Sequence, residues 1–543
     1  MLRVLISAAA IVLAVSANTP APAVEPGAPK EPLGRMDAVA FALQHRLGET
    51  FRDVSEAERR ERGALAAFYA ENGYDFLWID EDGLTDRARA AAKVFERADR
   101  FALRPGNYPF PDPDAVKSAE RPDVQWLADA EYRISRSVLA YARHAQSGHV
   151  EPSSVSRILD IEPDAPDPLA VLRGLARDDV EVTSYLEAFN PSQPQFVGLL
   201  ERLRELRRLS KTPTITIPDG DLVKPGESHP HVALVRQRLD VPDSDAAETY
   251  DDELLAAVEA FQRKNGLHVD GLIGPATRRA LNRSPADKID SLRVNLERWR
   301  WLPNDLGARY VRVNIPEFMV RLVDNGTTAF EERIVVGKPR HATPVLADQM
   351  ELVVFNPYWN VPYSIMKNEI VPQVQRSPGY LSRNNLQVIW RGRRRVDPYR
   401  VDWQNVDLGK VRLRQSPGAR NALGKIKFLF PNKHSVYLHD TPSKHLFNQS
   451  RRAYSHGCMR VRNPRAFAAA IMGPQGWSEA EIDSAIARGD NRAVRLEKPL
   501  PVYITYFTAA VLDSGGIGYF GDLYGHDGKT LKALDRAQKN VQG

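Results

Sequence analysis

The sequence has one cysteine, little net charge and few of the residues that keep chains disordered. With only Cys458 in 543 residues, an internal disulfide framework and a multi-cysteine metal cluster are both excluded. The 74 lysines and arginines nearly balance the 69 acidic residues, and the formal charge of +5 argues against a dedicated nucleic-acid binder. Glycine (34) and proline (39) are too few for a mostly disordered chain.

Long hydrophobic runs are also missing, except for one near the N-terminus. Arg3 precedes about a dozen apolar or small residues at 4–15, a run too short for a spanning helix and typical of a secretory signal. We therefore expect a signal peptide at 1–23, a mobile leader at 24–35 and no stable membrane anchor after cleavage. An uncleaved N-terminal anchor is the alternative. No cysteine follows the run, which excludes a lipoprotein anchor.

The hydrophobic pattern divides the rest of the chain into helical segments followed by a mainly β segment. Apolar residues recur at helical spacing in the first half and alternate at strand spacing later. The predicted segments are a helical scaffold domain at 36–212, a small three-helix module at 231–282, a connecting helix at 287–302, a mainly β domain at 308–507 with a lid-like insertion at about 363–430, and a peripheral tail at 508–543. The predicted fold class is therefore multidomain α+β.

Two local signals sharpen the prediction for the β domain. Asp324-Asn325-Gly326 lies between two strand candidates and predicts a hairpin turn. Ser478 and Glu481 have the spacing of a capping box, which predicts a helix after residue 478.

The three-helix module carries a recognisable string of residues. Phe261-Gln262-Arg263-Lys264-Asn265-Gly266-Leu267 is followed by Asp270-Gly271, Gly274-Pro275 and Thr277. This string resembles the small peptidoglycan-binding module of many wall enzymes. The resemblance implies binding to wall polymer, and a simple helical spacer is the alternative.

The surroundings of Cys458 point to chemistry. His456 and Gly457 precede it, Arg460 follows, and His439 ends a strand candidate upstream. A thiol nucleophile needs a base or cation because the thiolate is the reactive form. Backbone N–H groups around Gly457 and Cys458 could receive a developing oxyanion.

Two other interpretations of the same residues are open. A lone cysteine is often a small buried hydrophobe, although its neighbours here favour a reactive thiol. A zinc site built from His439, His456 and Cys458 lacks the usual ligand spacing. We therefore expect neither a metal nor a cofactor.

The segments 437–442 and 454–461 resemble the catalytic domain of L,D-transpeptidases, which have the YkuD-type fold. The shared signature is a histidine at a strand end, a loop, and Ser/Thr-x-Gly-Cys-x-Arg. The stretch 356–362 resembles long-form members, which carry a helical scaffold and a wall-binding module before the catalytic part. Asp440 departs from short members, which have Gly or Ser there, and it is open whether Asp440 touches the imidazole.

The resemblance implies a role for each candidate residue. Cys458 would attack the carbonyl between the L-centre of meso-diaminopimelate and D-Ala, and a second stem's amine would resolve the thioester into a 3→3 cross-link. His439 would form the thiolate pair and shuttle the proton. The remaining implied roles are the oxyanion site for the N–H groups of Gly457 and Cys458 with His456, loop or carboxylate contacts for Arg460, and the substrate wall for Trp359 and Tyr437.

The resemblance also implies where the protein acts and on what. Peptidoglycan stem peptides and glycan strands would be its partners, in the periplasm of a Gram-negative envelope, with a role in wall biogenesis and cell shape. The insertion with the arginine run 391–395 would form a basic lid, or the run is a solvated face. Alternatives are a protein, D-amino acid or water acceptor, or a non-catalytic wall-binding protein.

Overall fold

The computed structural model describes residues 34–49, 54–112, 122–209, 215–242, 247–377, 379–513 and 515–537. The expected signal peptide and most of the expected leader lie outside the described residues. Within these ranges, no helix combines the length and the hydropathy that crossing a membrane requires.

The first half of the chain is helical, as its periodicity predicts. Most of these helices pack around α4, whose first turn is capped by the Asp123 carboxylate accepting from the Trp126 N–H. The short strands β1 (Ile79–Asp80) and β2 (Gly83–Leu84) form a small hairpin beside them. The helices are α1 (Arg35–Gly48), α2 (Glu56–Glu71), α3 (Asp86–Glu96), α4 (Val124–Ser147), α5 (Pro152–Val155), α6 (Pro168–Leu175), α7 (Val182–Glu187) and α8 (Pro194–Leu209).

The small module consists of three helices, α9 (Pro230–Arg238), α10 (Asp252–Lys264) and α11 (Pro275–Leu281). Its loop before α11 is held by the buried Gln262, whose amide donates to the Asp270 carboxylate at 2.9 Å. The same side chain accepts from the N–H groups of Asp270 and Gly271. Residues of the string that carries the resemblance therefore also stabilise the conformation of this loop.

One helix joins the helical half to the β domain. This helix, α12 (Pro285–Trp299), begins at a capping box between Ser284 and Asp287. Its last residue, Trp299, stacks on Phe507 with ring centroids 4.7 Å apart. The apolar faces of α8 and α12 share one continuous core with the β domain, so α8 belongs to this core although we expect it in the scaffold domain.

The β domain is built on a closed mixed barrel. The order β5-β14-β12-β11-β6-β15-β3-β4 closes because β4 pairs again with β5, and β13 pairs outside the ring with β5. The β12–β14, β3–β15 and β5–β13 pairs are parallel. The strands are β3 (Arg309–Asn314), β4 (Met319–Asp324), β5 (Thr327–Gly337), β6 (Leu346–Phe355), β7 (Trp359–Asn360), β8 (Leu386–Trp390), β9 (Arg394–Val396), β10 (Val411–Gln415), β11 (Ile426–Leu429), β12 (Leu438–His439), β13 (Ala453–Ser455), β14 (Met459–Val461), β15 (Arg492–Thr505), β16 (Ala509–Val511) and β17 (Ile517–Tyr519).

The insertion has its own sheet and its own core. Its strands pair in the order β7-β10-β8-β9, and its short helices are α13 (Tyr363–Ile365), α14 (Val371–Arg376) and α15 (Tyr380–Arg383), with a π-helical turn at Met366–Ile370. The expected end at 430 is too late, because β11 pairs with β6 of the barrel. The arginine run 391–395 is exposed and enters the edge strand β9, where charge discourages pairing with other chains.

The C-terminal segment is not peripheral, contrary to our expectation for 508–543. Its strands β16 and β17 pair with each other, and its helix α18 (Asp527–Ala537) lies against α12. Arg298 of α12 forms an ion pair with Asp527 at 2.7 Å. Ala509, Tyr519 and Leu534 lie in the main core, so apolar residues scattered through a polar sequence dock this segment onto the β domain.

The two local predictions for this domain are confirmed. The Asp324-Asn325-Gly326 turn connects β4 to β5. Ser478 and Glu481 form a reciprocal capping box at the start of α17 (Glu479–Ala487), which follows α16 (Pro464–Met472).

The packing around Gly337, at the end of β5, leaves no room for a side chain. A Cβ there would lie 2.1 Å from the backbone oxygen of His341 and 2.8 Å from the Thr343 nitrogen. We expect Gly337→Ala to reduce the free energy of unfolding by about 1–3 kcal/mol, measured as a lower melting temperature in scanning calorimetry. The control is Gly63→Ala in α2, where nothing lies within 4 Å and we expect a gain of about 0.5–1 kcal/mol. Equal effects would contradict this packing.

Candidate active site

Strand register brings the candidate residues together. The parallel pairing of β12 with β14 aligns Leu438 with Met459 and His439 with Arg460. Because alternate residues of a strand share a face, Tyr437 and His439 lie on one face with Cys458 and Arg460. Tyr437 and His439 pack edge to face with ring centroids 5.6 Å apart.

Cys458 is half-buried and its thiol is held by Tyr437. Burial raises the pKa of the thiol, while hydrogen bonds from the backbone and side chain of Tyr437 and the charges of Lys427 and Arg460 lower it in part. The net shift is upward, so the resting thiol is protonated at neutral pH. Attack by this sulfur therefore requires a base.

His439 is buried and oriented by the backbone. Its Nδ1–H donates to the carbonyl oxygen of Asp440, which leaves Nε2 as the acceptor in the neutral ring. Burial and then the charge of Arg460 lower the pKa of His439 to about 3. The imidazole is therefore neutral at rest, and the site holds a neutral thiol beside a neutral base.

The Asp440 side chain does not bond to the imidazole; its backbone carbonyl does. The carboxylate accepts from Lys444 Nζ at 2.6 Å, from the Thr441 N–H at 2.7 Å and from the Lys425 N–H at 2.8 Å. These three bonds fix the chain just after β12. Asp440 thus holds the carbonyl that orients His439, which answers the question left open by the sequence.

Lys427 is a member of the site that sequence reasoning misses. It lies opposite His439 on β11, and its Nζ is 3.8 Å from the centre of the Tyr437 ring. Burial lowers the pKa of Lys427, and the charge of Cys458 acts in the opposite direction. The available signal was a single lysine inside the apolar strand Ile426–Leu429, a position that faces the same side as His439.

The Gly457 N–H is not available for an oxyanion, which corrects the sequence-based expectation. It donates to Ser455 Oγ at 3.1 Å, and the Ser455 hydroxyl donates in turn to the Cys458 carbonyl. Within the described ranges, the Cys458 N–H has no such acceptor and is the remaining donor. Gly457 contributes its backbone conformation instead, with φ of +114°, a value that other residues rarely adopt.

A hydroxyl relay connects the C-terminal segment to the cysteine loop. Thr343 Oγ1 donates to the Gly457 carbonyl at 2.8 Å and accepts from the Gly337 N–H. Tyr524 Oη donates to the Gly337 carbonyl at 2.7 Å and accepts from the Thr343 N–H at 3.2 Å. Tyr524 carries no motif that would identify it from the sequence.

His456 faces the insertion and not the oxyanion position. Its Nε2 is hydrogen-bonded to the Glu369 carboxylate in the π-helical turn, and Lys338 Nζ lies 3.3 Å away. The His341 ring packs beside it with centroids 4.6 Å apart. The expected oxyanion role for His456 is therefore wrong in this structure, because its ring nitrogen is engaged by the insertion.

The three expected substrate contacts have different surroundings. Arg460 lies opposite His439, and its buried Nε has no hydrogen-bond partner in the part of the chain that the structure describes. Tyr437 is hydrogen-bonded to the thiol, and its part in a substrate wall stays a prediction. Trp359 packs against the core of the insertion and pairs with Gln415 of β10.

A metal does not fit this arrangement. His439 uses Nδ1 on a backbone carbonyl and His456 is paired with Glu369. Among the described residues, no group of three or more His, Cys, Asp or Glu side chains is placed to hold a metal ion.

Three family models match separate parts of the chain. The YkuD model, described as the L,D-transpeptidase catalytic domain, matches residues 308–479. A scaffold-domain model matches 63–203, and a model described as "Putative peptidoglycan binding domain" matches 233–281.

Individual relatives are similar to parts of the chain. The chain is 32% identical over 237 residues to a "Putative L,D-transpeptidase" of Haemophilus influenzae, covering 44% of this chain and 48% of that protein. It is 39% identical over 67 residues to the N-acetylmuramoyl-L-alanine amidase CwlL of Bacillus licheniformis, covering 11% and 19% respectively. The chain thus spans half or less of the length of these curated relatives. A solved L,D-transpeptidase from Xylanimonas cellulosilytica is 15% identical, covers 54% of this chain and 100% of its own, and superposes with a TM-score of 0.18.

The barrel, its cysteine loop and these matches define the class of protein. The fold class is multidomain α+β, as predicted from the sequence. The chain contains a YkuD L,D-transpeptidase catalytic domain, a peptidoglycan-binding domain and a scaffold domain.

The contact between Tyr437 and Cys458 predicts a pH effect. The tyrosine hydroxyl lowers the pKa of the thiol, so Tyr437→Phe should raise that pKa and move the midpoint of Cys458 alkylation to higher pH. Iodoacetamide labelling followed by intact mass, measured across pH, gives the midpoint. Tyr399→Phe, at an exposed position on the insertion, should leave it unchanged. An unmoved or lower midpoint in Tyr437→Phe would contradict the hydrogen bond.

Proposed function

We propose that this protein is an exported L,D-transpeptidase that forms 3→3 peptidoglycan cross-links through a cysteine thioester in the periplasm. The observation that carries the proposal is the lone thiol of Cys458 on one sheet face with a neutral His439, whose tautomer a backbone carbonyl fixes. The catalytic-domain and peptidoglycan-binding matches support the substrate class.

The first half-reaction transfers the donor stem to the enzyme. As Cys458 Sγ attacks the carbonyl carbon before the terminal D-Ala, the thiol proton passes to His439 Nε2. Negative charge moves to the carbonyl oxygen, where the Cys458 N–H receives it. The C–N bond then breaks, the D-Ala amine takes the proton from His439, and a thioester remains.

The second half-reaction releases the product. The side-chain amine of a second stem attacks the thioester and gives its proton to His439. The C–S bond breaks, the proton returns to sulfur, and the new amide joins two diaminopimelate residues. The bonds and protons balance without an oxidant or a further reactant.

The positive charges around the thiol support this chemistry. Lys427 and Arg460 stabilise the thiolate and the oxyanion while disfavouring the imidazolium, so charge separates only as attack proceeds. In this proposal Arg460, whose Nε has no hydrogen-bond partner among the described residues, meets a carboxylate of the stem. Tyr437 and Lys427 act on the sulfur itself in this proposal.

The contacts of the insertion support its role as a lid over the site. Glu369 bonds His456, two residues before the nucleophile, and the insertion has a separate core that can move as one body. In this proposal the contact positions the cysteine loop when the insertion is closed.

The decisive experiment follows the nucleophile. Incubation with a disaccharide-tetrapeptide should give a Cys458-linked acyl enzyme and then a cross-linked dimer, both resolved by mass. We expect Cys458→Ser to lose both products while keeping its circular dichroism, because a serine hydroxyl is a far weaker nucleophile here. Retained cross-linking in that variant would rule out the mechanism. A hydrolysed or amine-exchanged product would instead identify water or a D-amino acid as the acceptor.

The two histidines should behave differently. His439→Ala should slow acylation of Cys458 by roughly 10²–10⁴-fold at neutral pH, with partial recovery as hydroxide replaces the base at high pH. His456→Ala should cause a smaller loss without strong alkaline recovery, because it removes a contact to the insertion. Acylation rates measured against pH decide this, and the reverse pattern would assign the base to His456.

A further inference from the structure

A large cleft separates the peptidoglycan-binding domain from the catalytic barrel. Its volume is about 830 Å³, within the range of sites for small molecules and oligomers. The module side is the loop before α11 and the start of that helix, including Leu267 and Arg279. The barrel side carries Phe318 and the segment Asn448–Arg452.

The C-terminal segment closes the floor of this cleft and holds its two walls together. Phe520 packs so close to Gly266 that a Cβ there would lie 2.9 Å from its ring. Arg283 donates to the Phe520 carbonyl at 3.2 Å and lies over the Tyr519 ring. The cleft is therefore a built feature of the fold and not a gap between loosely tethered domains.

Every acidic side chain that lines the cleft already has partners. Asp270 accepts from Gln262 and from the Leu272 N–H, both at 2.9 Å. Glu317 and Glu331 are both paired with Arg321. Asp522 accepts from the Tyr506 hydroxyl at 2.7 Å and from the His526 N–H at 2.8 Å.

Most cationic side chains of the cleft, in contrast, form no ion pair with a described carboxylate. Arg279, Arg333 and Arg451 are exposed, and none of them pairs with a carboxylate inside the described ranges. Arg333 reaches only the Phe447 carbonyl, at 3.5 Å. The buried Arg452 likewise donates only to backbone carbonyls. The cleft lining thus carries five arginines against four carboxylates, an excess of one positive charge, with the aromatic surfaces of Phe318 and Phe520 beside them.

We propose that this cleft binds a carboxylate-bearing segment of peptidoglycan, so that the module and the barrel form one binding site together. The arginines meet the carboxylates of stem peptides and the apolar walls meet the sugar and peptide faces. This inference rests on the proposed substrate class and adds the location and chemistry of its binding. A nucleic acid or another polyanion is the competing occupant that the test must separate.

One wall of the cleft is continuous in sequence with the catalytic loop. Its barrel wall at Asn448–Arg452 continues as β13, and Ser455 at the end of that strand bonds both Gly457 and Cys458. A strand held in the cleft is thus bound next to the segment that carries the nucleophile. This position gives the wall-binding module a part in presenting substrate beyond simple retention.

The test measures binding to purified sacculi in a Cys458→Ser background, where covalent capture cannot contribute. We expect Arg279→Glu with Arg451→Glu to weaken binding by roughly tenfold or more, and the matching Gln pair to weaken it less. The matched control is Arg97→Glu with Arg104→Glu, the same charge change at exposed positions of the helical half, outside the cleft. It should stay within roughly twofold of the parent protein.

A second arm identifies the ligand chemistry. Sacculi whose carboxylates are converted to neutral amides should bind the parent protein about as weakly as untreated sacculi bind the cleft variant. An equal loss in cleft and control variants, or full binding to amidated sacculi, would overturn the proposal. Competition by heparin at the same charge concentration as soluble stem peptides would assign the cleft to general polyanions and overturn it too. Failure of Cys458 acylation in the unsubstituted protein would refute the proposed function and leave the binding result standing.

Discussion

The parallel pairing of β12 with β14 is the constraint on which the candidate site depends. It places His439 opposite Arg460 and sets Cys458 beside Tyr437, while the antiparallel pairing with β11 adds Lys427 across from His439. Side chains alternate along a strand, so a slip of one residue would send the base to the opposite face from the nucleophile. The closed barrel protects this register, because every strand of the ring is paired on both edges.

The electrostatics of the site follow from that register. Burial favours neutral forms of both the Cys458 thiol and the His439 ring, and the nearby cations oppose an imidazolium. The same cations favour a thiolate and an oxyanion, which are the charges that acyl transfer generates. In the proposed reaction, the buried neutral pair therefore gains its charge as the thiol attacks a bound carbonyl.

The sequence could point to the candidate thiol and imidazole but not to the residues that support them. Cys458 and His439 stand in short motifs whose chemistry is legible from neighbouring residues. Lys427, Thr343 and Tyr524 act through strand register and hydroxyl contacts across long sequence separations, which no local pattern encodes. The expectations for the Gly457 N–H and the His456 ring failed for a related reason. Both groups are committed to partners, Ser455 and Glu369, that only the folded chain brings near.

Several segments that are distant in sequence contact the cysteine loop. The insertion reaches the loop through Glu369, the C-terminal segment reaches it through Tyr524 and Thr343, and the cleft wall enters it as β13. The contacts of Glu369 and Thr343 are hydrogen bonds to residues next to Cys458, and Ser455 of β13 bonds the Cys458 carbonyl. Because binding energy from remote parts of a polymer can position its reacting carbonyl, a wall strand held by the module and the insertion would align with this loop before attack begins.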